Sequence, residues 1–239
     1  MTTLVAGMTT KTTLLVLVGV CGCGGGQEPP PAVPEPEPEV EGPPPDDGVR
    51  IEGIMGSYGR DVVQSLQNDR QADMLGCYAQ AISGLPYAYG RISIGIKVSA
   101  QGRPIWAYPK ETDLGHRGAE KCMVDRVLQA RFPRPQGNAE AELGFSYEFA
   151  PAGRAASPAE ADRLGDVVQT NRAEIDACTG GQGGFVVTLY ADREGRVTSA
   201  GVSIPDADSS AAADCVTEAV MRWTLPPAGS WFSKVSFAL

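Results

Sequence analysis

The sequence predicts an α+β protein made of two tandem αββαβ modules, each a three-stranded antiparallel sheet with two helices on one face. Three observations predict it. Between Val49 and Pro151 a helical apolar spacing, two alternating segments, a second helical spacing and a third alternating segment follow one another. The same order returns in shorter form from Leu164 to Leu239. Each helix of each stretch carries one cysteine: Cys77 and Cys122, then Cys178 and Cys215. A shared series of elements with a shared cysteine pattern marks an internal repeat.

The first 48 residues read as delivery apparatus. Lys11 precedes the apolar run Leu14 to Val20, which is too short to cross a hydrocarbon core about 30 Å thick. A basic residue, a short apolar core and small residues after it fit a secretory signal over 1–23. With Cys21-Gly22-Cys23 at its end it resembles a bacterial lipoprotein signal, and Val20-Cys21-Gly22 before Cys23 fits the lipobox better than Val18-Gly19-Val20 before Cys21. Cys23 is the predicted lipidated residue. A start at Met8 would place Lys11 in the basic region. A metal or thiol pair at Cys21 and Cys23 is disfavoured by the absence of a fold around it. Residues 24–48 form a tether: positions 27–47 hold nine prolines, many alternating with glutamate, and cannot bury a core. No SH3- or WW-type ligand is read there.

The first module spans 49–151. From Asp61, residues Val63, Leu66, Met74, Cys77, Tyr78 and Ala81 recur at helical spacing, and Gly84 ends the run. Ile92, Ile94, Ile96 and Val98 alternate with polar residues as a half-buried strand. Gln101-Gly102-Arg103 turns the chain into a second strand, Ile105 to Tyr108. Ala119 to Ala130 is helical, with Cys122 and Met123 inward, and Pro133 and Pro135 stop it. Ala139 to Phe149 is the cleanest alternation in the chain. If first and last strands pair, Arg91 and Lys97 meet Glu140, Glu142 and Glu148 across the ladder.

Residues 152–163 read as a linker and 164–239 as the second module. Its elements are a helix from Arg163 to Cys178, strands from Phe185 to Leu189 and Val197 to Ile204, a helix from Ala211 to Trp223, and a strand from Trp231 to Leu239. Aligning Cys178 with Cys77 and Cys215 with Cys122 brings Arg222-Trp223 near Arg131-Phe132.

An exported chain favours bridged cysteines. Four cysteines allow three connectivities, and only Cys77–Cys122 with Cys178–Cys215 ties each module to itself. In the chain-entropy picture each bridge contributes about 4 kcal/mol. A catalytic thiol would need an activating base, and the chain has one histidine, His116. His116 lacks an evident nucleophile and lacks companions for a metal, so it reads as a side chain at a helix start. Gly180 to Gly184 has no Gly-Lys-Ser/Thr after it and reads as a connector. Asp206 and Asp208 lack the Gly and Glu of a calcium loop and read as a helix cap. Trp106, Tyr108, Trp223 and Trp231 read as core or edge aromatics.

The net charge of −9 is uneven. Residues 27–49 hold seven acids and no lysine, whereas 50–150 hold twelve basic and eleven acidic side chains. No basic patch points to nucleic acid. No catalytic set, cofactor motif, metal site or small-molecule substrate is read.

Several of these residues carry a resemblance. Gly53, Gly56 and Ser57 precede the first helix; Cys77-Tyr78, Gly90, Gly115-His116-Arg117 with Cys122, and Phe132-Pro-x-Pro135 follow. Together they resemble the AgmX/PglI C-terminal domain family and, more broadly, the C-terminal domain of TonB-type proteins. The second module matches more loosely, lacking Cys-Tyr and Gly-His-Arg. The resemblance implies a non-enzymatic periplasmic binding or coupling domain. With the lipobox it leads to the expectation of an outer-membrane lipoprotein facing the periplasm that binds another cell-envelope protein, by augmentation of an exposed sheet edge. The alternatives are a thiol-dependent enzyme and a TonB-like energy transducer, which would need a transmembrane helix.

Overall fold

Alternating apolar residues build the first sheet. In a computed structural model of the chain, which describes residues 55–227 and 229–239, β1 (Gly90–Val98), β2 (Pro104–Thr112) and β3 (Ala141–Phe149) pair antiparallel in the order β2-β1-β3. Ile92, Ile94, Ile96 and Val98 are fully buried, and Ala141, Phe145 and Phe149 join them from β3. Each of these Ile, Val and Phe side chains contributes about 1.5–3 kcal/mol relative to exposure. Across the ladder Arg91 faces Glu148 and pairs with it at 3.0 Å. Lys97 faces Glu142 but bonds Glu140, at 2.9 Å.

Three helices belong to this half: α1 (Arg60–Asp69), α2 (Gln71–Ala81) and α3 (Arg117–Leu128). The helix read as continuous from Asp61 to Ala81 is broken at Arg70. There the amide turns back to Gln67 and Asn68, while the guanidinium donates to the Arg131 carbonyl at 3.2 Å and lies over the Phe132 ring. Met74, Cys77 and Tyr78 of α2, and Ala119, Met123 and Val127 of α3, pack in the same core as the inward face of the sheet. α1 buries no residue fully.

The second half repeats this plan with one addition. Its sheet has four strands, β4 (Ser157–Pro158), β5 (Val186–Ala191), β6 (Val197–Ser203) and β7 (Ser233–Ala238), in the order β4-β7-β5-β6. The expectation of three strands is corrected here: β4 comes from the stretch read as a linker and pairs parallel with β7. The amides of Ser157 and Ala159 donate to the carbonyls of Phe232 and Lys234, and Pro158 between them has no donor to lose. The helices are α4 (Gly165–Thr170), α5 (Arg172–Thr179) and α6 (Ser210–Val220). The helix expected from Arg163 to Cys178 is broken at Asn171, whose side chain donates to the Val167 carbonyl. Arg70 and Asn171 each lie seven residues before the first cysteine of their half (70 to 77, 171 to 178).

The recurrence reaches single hydrogen bonds. In the β1–β2 hairpin the Gly102 amide donates to Ser99 and the Gly102 carbonyl accepts from Phe132, beyond α3. In the β5–β6 hairpin the Gly195 amide donates to Asp192 and its carbonyl accepts from Leu225, beyond α6. Leu225, not Trp223, therefore takes the place of Phe132. Both glycines have positive φ, 80° and 84°, and a Cβ on either would run into the carbonyl oxygen of its partner.

The two halves differ in their second faces. The outer face of the first sheet carries the exposed residues Arg91, Glu142, Ser146 and Glu148. The matching face of the second sheet, with Thr188, Tyr190, Ser199, Gly201 and Ser203, is buried, because the stretch from Thr112 to Glu120 packs onto it. Ser199 Oγ donates to the Gly115 carbonyl at 2.6 Å, and Ser203 Oγ to that of Thr112 at 3.1 Å.

Replacing Gly102 or Gly195 by Ala combines a left-handed backbone with a collision against backbone. Each substitution is expected to destabilise the protein by about 1–3 kcal/mol. Urea unfolding monitored by circular dichroism checks this, as a lower midpoint at unchanged slope.

Candidate functional site

A strand at the end of a sheet leaves a row of amides and carbonyls to be satisfied. How the four sheet edges are treated defines the surface of this protein. On β2, Pro104 and Pro109 remove donors and two bulges interrupt the pairing with β1. The far part of that edge is occupied: Pro109 O accepts from the Ile204 amide at 3.1 Å, and the Thr112 amide donates to Ser203 Oγ at 2.7 Å. On β6 the Val202 amide donates to a carboxylate oxygen of Glu120 at 3.1 Å. On β7 the first half of the edge is taken by β4.

The edge of β3 is different. It has nine residues, no proline and an unbroken register with β1. Backbone groups alternate in direction along a strand. The Glu140 carbonyl accepts from Gly56, and the Ser146 amide donates to Gln67 Oε1 at 3.2 Å, so the even residues turn their groups outward. Among the described residues nothing bonds the outward groups of Glu142 and Gly144. Hollows flank the end of this strand on both sides. One, of about 140 Å³, lies between Ser146–Phe149 and α1–α2, with half-exposed Leu75 in its wall. The other, of about 530 Å³, opens where Arg91, Glu148 and Phe149 approach Val186 and Ser203 of the second half.

At the larger cleft a buried lysine pairs with a half-exposed aspartate. Lys234 Nζ donates to Asp113 Oδ2 and to the Tyr89 carbonyl, both at 2.9 Å, and lies 4.1 Å from the Tyr89 ring centroid. Tyr190 hydroxyl donates to the Tyr89 carbonyl at 2.6 Å and accepts from the Tyr89 amide at 2.9 Å. Burial holds the Lys234 ammonium below its ordinary range, against the pull of Asp113. In the cleft wall Arg91 pairs with Glu148 and Asp113 with Lys234, and Lys110 and Glu111 line it as well. Such a surface suits polar backbone and charged side chains of a bound segment.

Glu120 has no solvent exposure. Its carboxylate accepts from Val202 and from Thr112 Oγ1, and Arg117 stands 3.9 Å away. Burial outweighs these contacts and pushes its carboxyl up to about 7. Gly201 lies against it, where a Cβ would strike the carboxylate. Arg117 reaches across to Asp214 at 2.8 Å and to Ser210, and Lys121 meets the other Asp214 oxygen at 2.8 Å. Sequence reasoning passed over Glu120, although a signal existed: it shares the helical phase of Ala119, Met123 and Val127, an apolar face where a charge needs a partner.

The predicted site residues fall as follows. Cys77–Cys122 and Cys178–Cys215 are both bridged, with Cα separations of 5.6 and 5.5 Å. His116 caps α3, its Nδ1 accepting from the Ala119 amide at 3.1 Å, and burial holds it below its ordinary value. Asp206 caps a short turn before α6 through the Ser209 amide. Gly180 to Gly184 joins α5 to β5. Trp223 is buried, whereas Trp106, Tyr108 and Trp231 are half-buried. Cys23, the signal and the tether lie outside the described residues. Among the described residues no group of three His, Cys, Asp or Glu side chains could hold a metal ion. No helix among them is long and apolar enough to cross a membrane. No family model matches the chain, and comparison with curated proteins and solved structures finds no similar protein.

The Glu120 carboxyl has an ordinary value of 4.5 and is raised in the folded protein, so the folded state holds its proton to higher pH than the unfolded chain. That contribution to stability is complete below about 4.5 and is lost as pH rises through about 7. His116, held low by burial, has the opposite sign, its contribution being lost as pH falls below its ordinary 6.5. Glu120→Gln removes the first effect alone. Relative to the parent, the variant is expected to gain as much as about 3 kcal/mol between pH 5 and pH 8. Urea midpoints of both proteins across that range check it.

Proposed function

We propose that the chain is a non-catalytic, lipid-anchored adaptor of the periplasmic face of the outer membrane that binds another cell-envelope protein. The observation that carries the reading is the edge of β3: nine regular residues, uninterrupted by bulge or proline, with outward groups at Glu142 and Gly144 that nothing among the described residues bonds, and hollows on both sides of its end. An extended segment of the partner adds there as a further strand, held by main-chain hydrogen bonds. Glu142 on the outer face favours a segment with a basic side chain opposite it. The adaptor reading also draws on the lipoprotein-like signal, the Pro/Glu tether and the resemblance of the first half to the AgmX/PglI C-terminal domain, repeated in the second half as a tandem TonB-C-like pair. Two bridges suit an oxidising compartment.

Gly144→Pro is the sharpest test, because the amide of Gly144 points away from β1 and its removal leaves the β1–β3 ladder whole. The variant is expected to keep both disulfides and the parent circular dichroism spectrum. Photo-crosslinkers at Glu142 and Ser146 of the otherwise native protein should capture one common partner in cells, and Gly144→Pro should abolish both cross-links. Equal cross-linking by the proline variant would remove β3 as the docking edge.

A further inference from the structure

The two disulfides are embedded differently. Cys77 is 3% exposed, and α2 is held in place by more than its bridge. Met74 is fully buried, Tyr78 stacks on Phe149 at 4.4 Å, and the Tyr78 hydroxyl donates to the Ala88 carbonyl at 2.7 Å. In the second half the residue after the cysteine is Thr179, with no ring to anchor the helix. α5 fully buries only Ile175 and Thr179, and α4 fully buries nothing. Cys215 lies on the exposed side of α6, and Cys178 is half-buried. Besides the bridge, α5 is tied to the chain beyond α6 by an exposed ion pair, Glu174 with Arg222, of a kind that contributes little. The segment after α5 carries Gly180, Gly181 and Gly184, all at positive φ.

We propose that Cys178–Cys215 is a thiol-exchange site for an external dithiol, and that its opening releases α4 and α5 from the second core while Cys77–Cys122 stays closed. The step is a two-electron exchange. A thiolate of the dithiol attacks Sγ of the exposed residue Cys215; the Cys178–Cys215 bond breaks and Cys178 leaves as thiolate with the electron pair. The second thiol of the reductant, once deprotonated, attacks the mixed disulfide and expels Cys215 as thiolate. The dithiol ends as a disulfide, and both cysteines take up protons from water. Access controls such exchange, and Cys215 is an exposed residue, whereas in the first bridge Cys77 is buried and Cys122 half-buried. Once free, α5 keeps Ile175, Thr179 and the exposed Glu174–Arg222 pair to hold it, and on its release the apolar side chains beneath Ile175 become open to solvent. This inference rests on the burial of the bridges and stands apart from the adaptor reading.

Timed treatment of the oxidised full-length protein with dithiothreitol, quenching with N-ethylmaleimide and peptide mapping gives the rate at each bridge. Hydrogen exchange on the same samples reports the helices. Cys178–Cys215 is expected to open faster than Cys77–Cys122 by on the order of tenfold. Exchange should rise in residues 165–179 and stay protected in 71–81. Equal rates, earlier loss of Cys77–Cys122, or opening of Cys178–Cys215 with no gain of exchange in 165–179 would each overturn the proposal.

Discussion

The carboxylate of Glu120, sealed between the two halves, is the contact on which the arrangement of the rest depends. The outward amide of Val202 at the edge of β6 has to be satisfied, and a bare buried donor costs about 1–3 kcal/mol. Glu120 meets that amide with one oxygen and Thr112 with the other. To deliver it there, the start of α3 must lie against β6, which is why residue 201 is a glycine and why His116 caps the helix within the seam. The outer contacts follow from this placement: Arg117 and Lys121 both reach Asp214, and Thr112 meets Ser203. A charge without solvent is an expensive way to close an edge. It ties the orientation of one sheet to a single helix on the other.

From this constraint comes the asymmetry of the molecule. Both halves use the same strand order, the same glycine hairpin anchored behind the second helix, and the same bridge between helices. They differ in what happens at their borders. The second sheet is enclosed: helices on one face, the first half on the other, Glu120 at one edge and β4 at the opposite one. The first sheet keeps a solvated face and a regular outer strand. The second half lacks the long connection before its first strand and has Thr179 in the position of the anchoring Tyr78. The copy that stays open retains the longer strands and the flanking hollows. On the proposed reading, the enclosed second half is the support and the open first half the binding surface.

Much of the fold was legible in the sequence because it rests on local periodicity. The run Ile92, Ile94, Ile96, Val98 and the run from Ala141 to Phe149 can bury only one face each, and the cysteines sit on helices that share that face. The Gly102 turn was legible for the same local reason. What was not legible depends on contacts between distant parts. Ser157 and Ala159 have no strand pattern of their own and pair only because the edge of β7 is there. Arg70 breaks its helix because Arg131 and Phe132 lie within reach. The face bearing Thr188, Ser199 and Ser203 reads as solvated, since small hydroxylated residues suit water; here they suit close approach of another backbone, which local pattern does not reveal.

The seam did leave a trace, in residues that break the pattern of their own element. Glu120 lies in the apolar phase of α3, and Tyr190 and Lys234 stand opposite each other on the polar phase of β5 and β7 yet are buried. Each is long enough to carry a polar group across to the other half while its stem packs among apolar neighbours. Tyr190 indeed belongs to the core of the first half although its strand belongs to the second. A large polar residue out of phase with its element has a partner to find, and in a tandem chain the nearest candidate is the other copy. Together, Glu120, Tyr190 and Lys234 mark the interface between the halves.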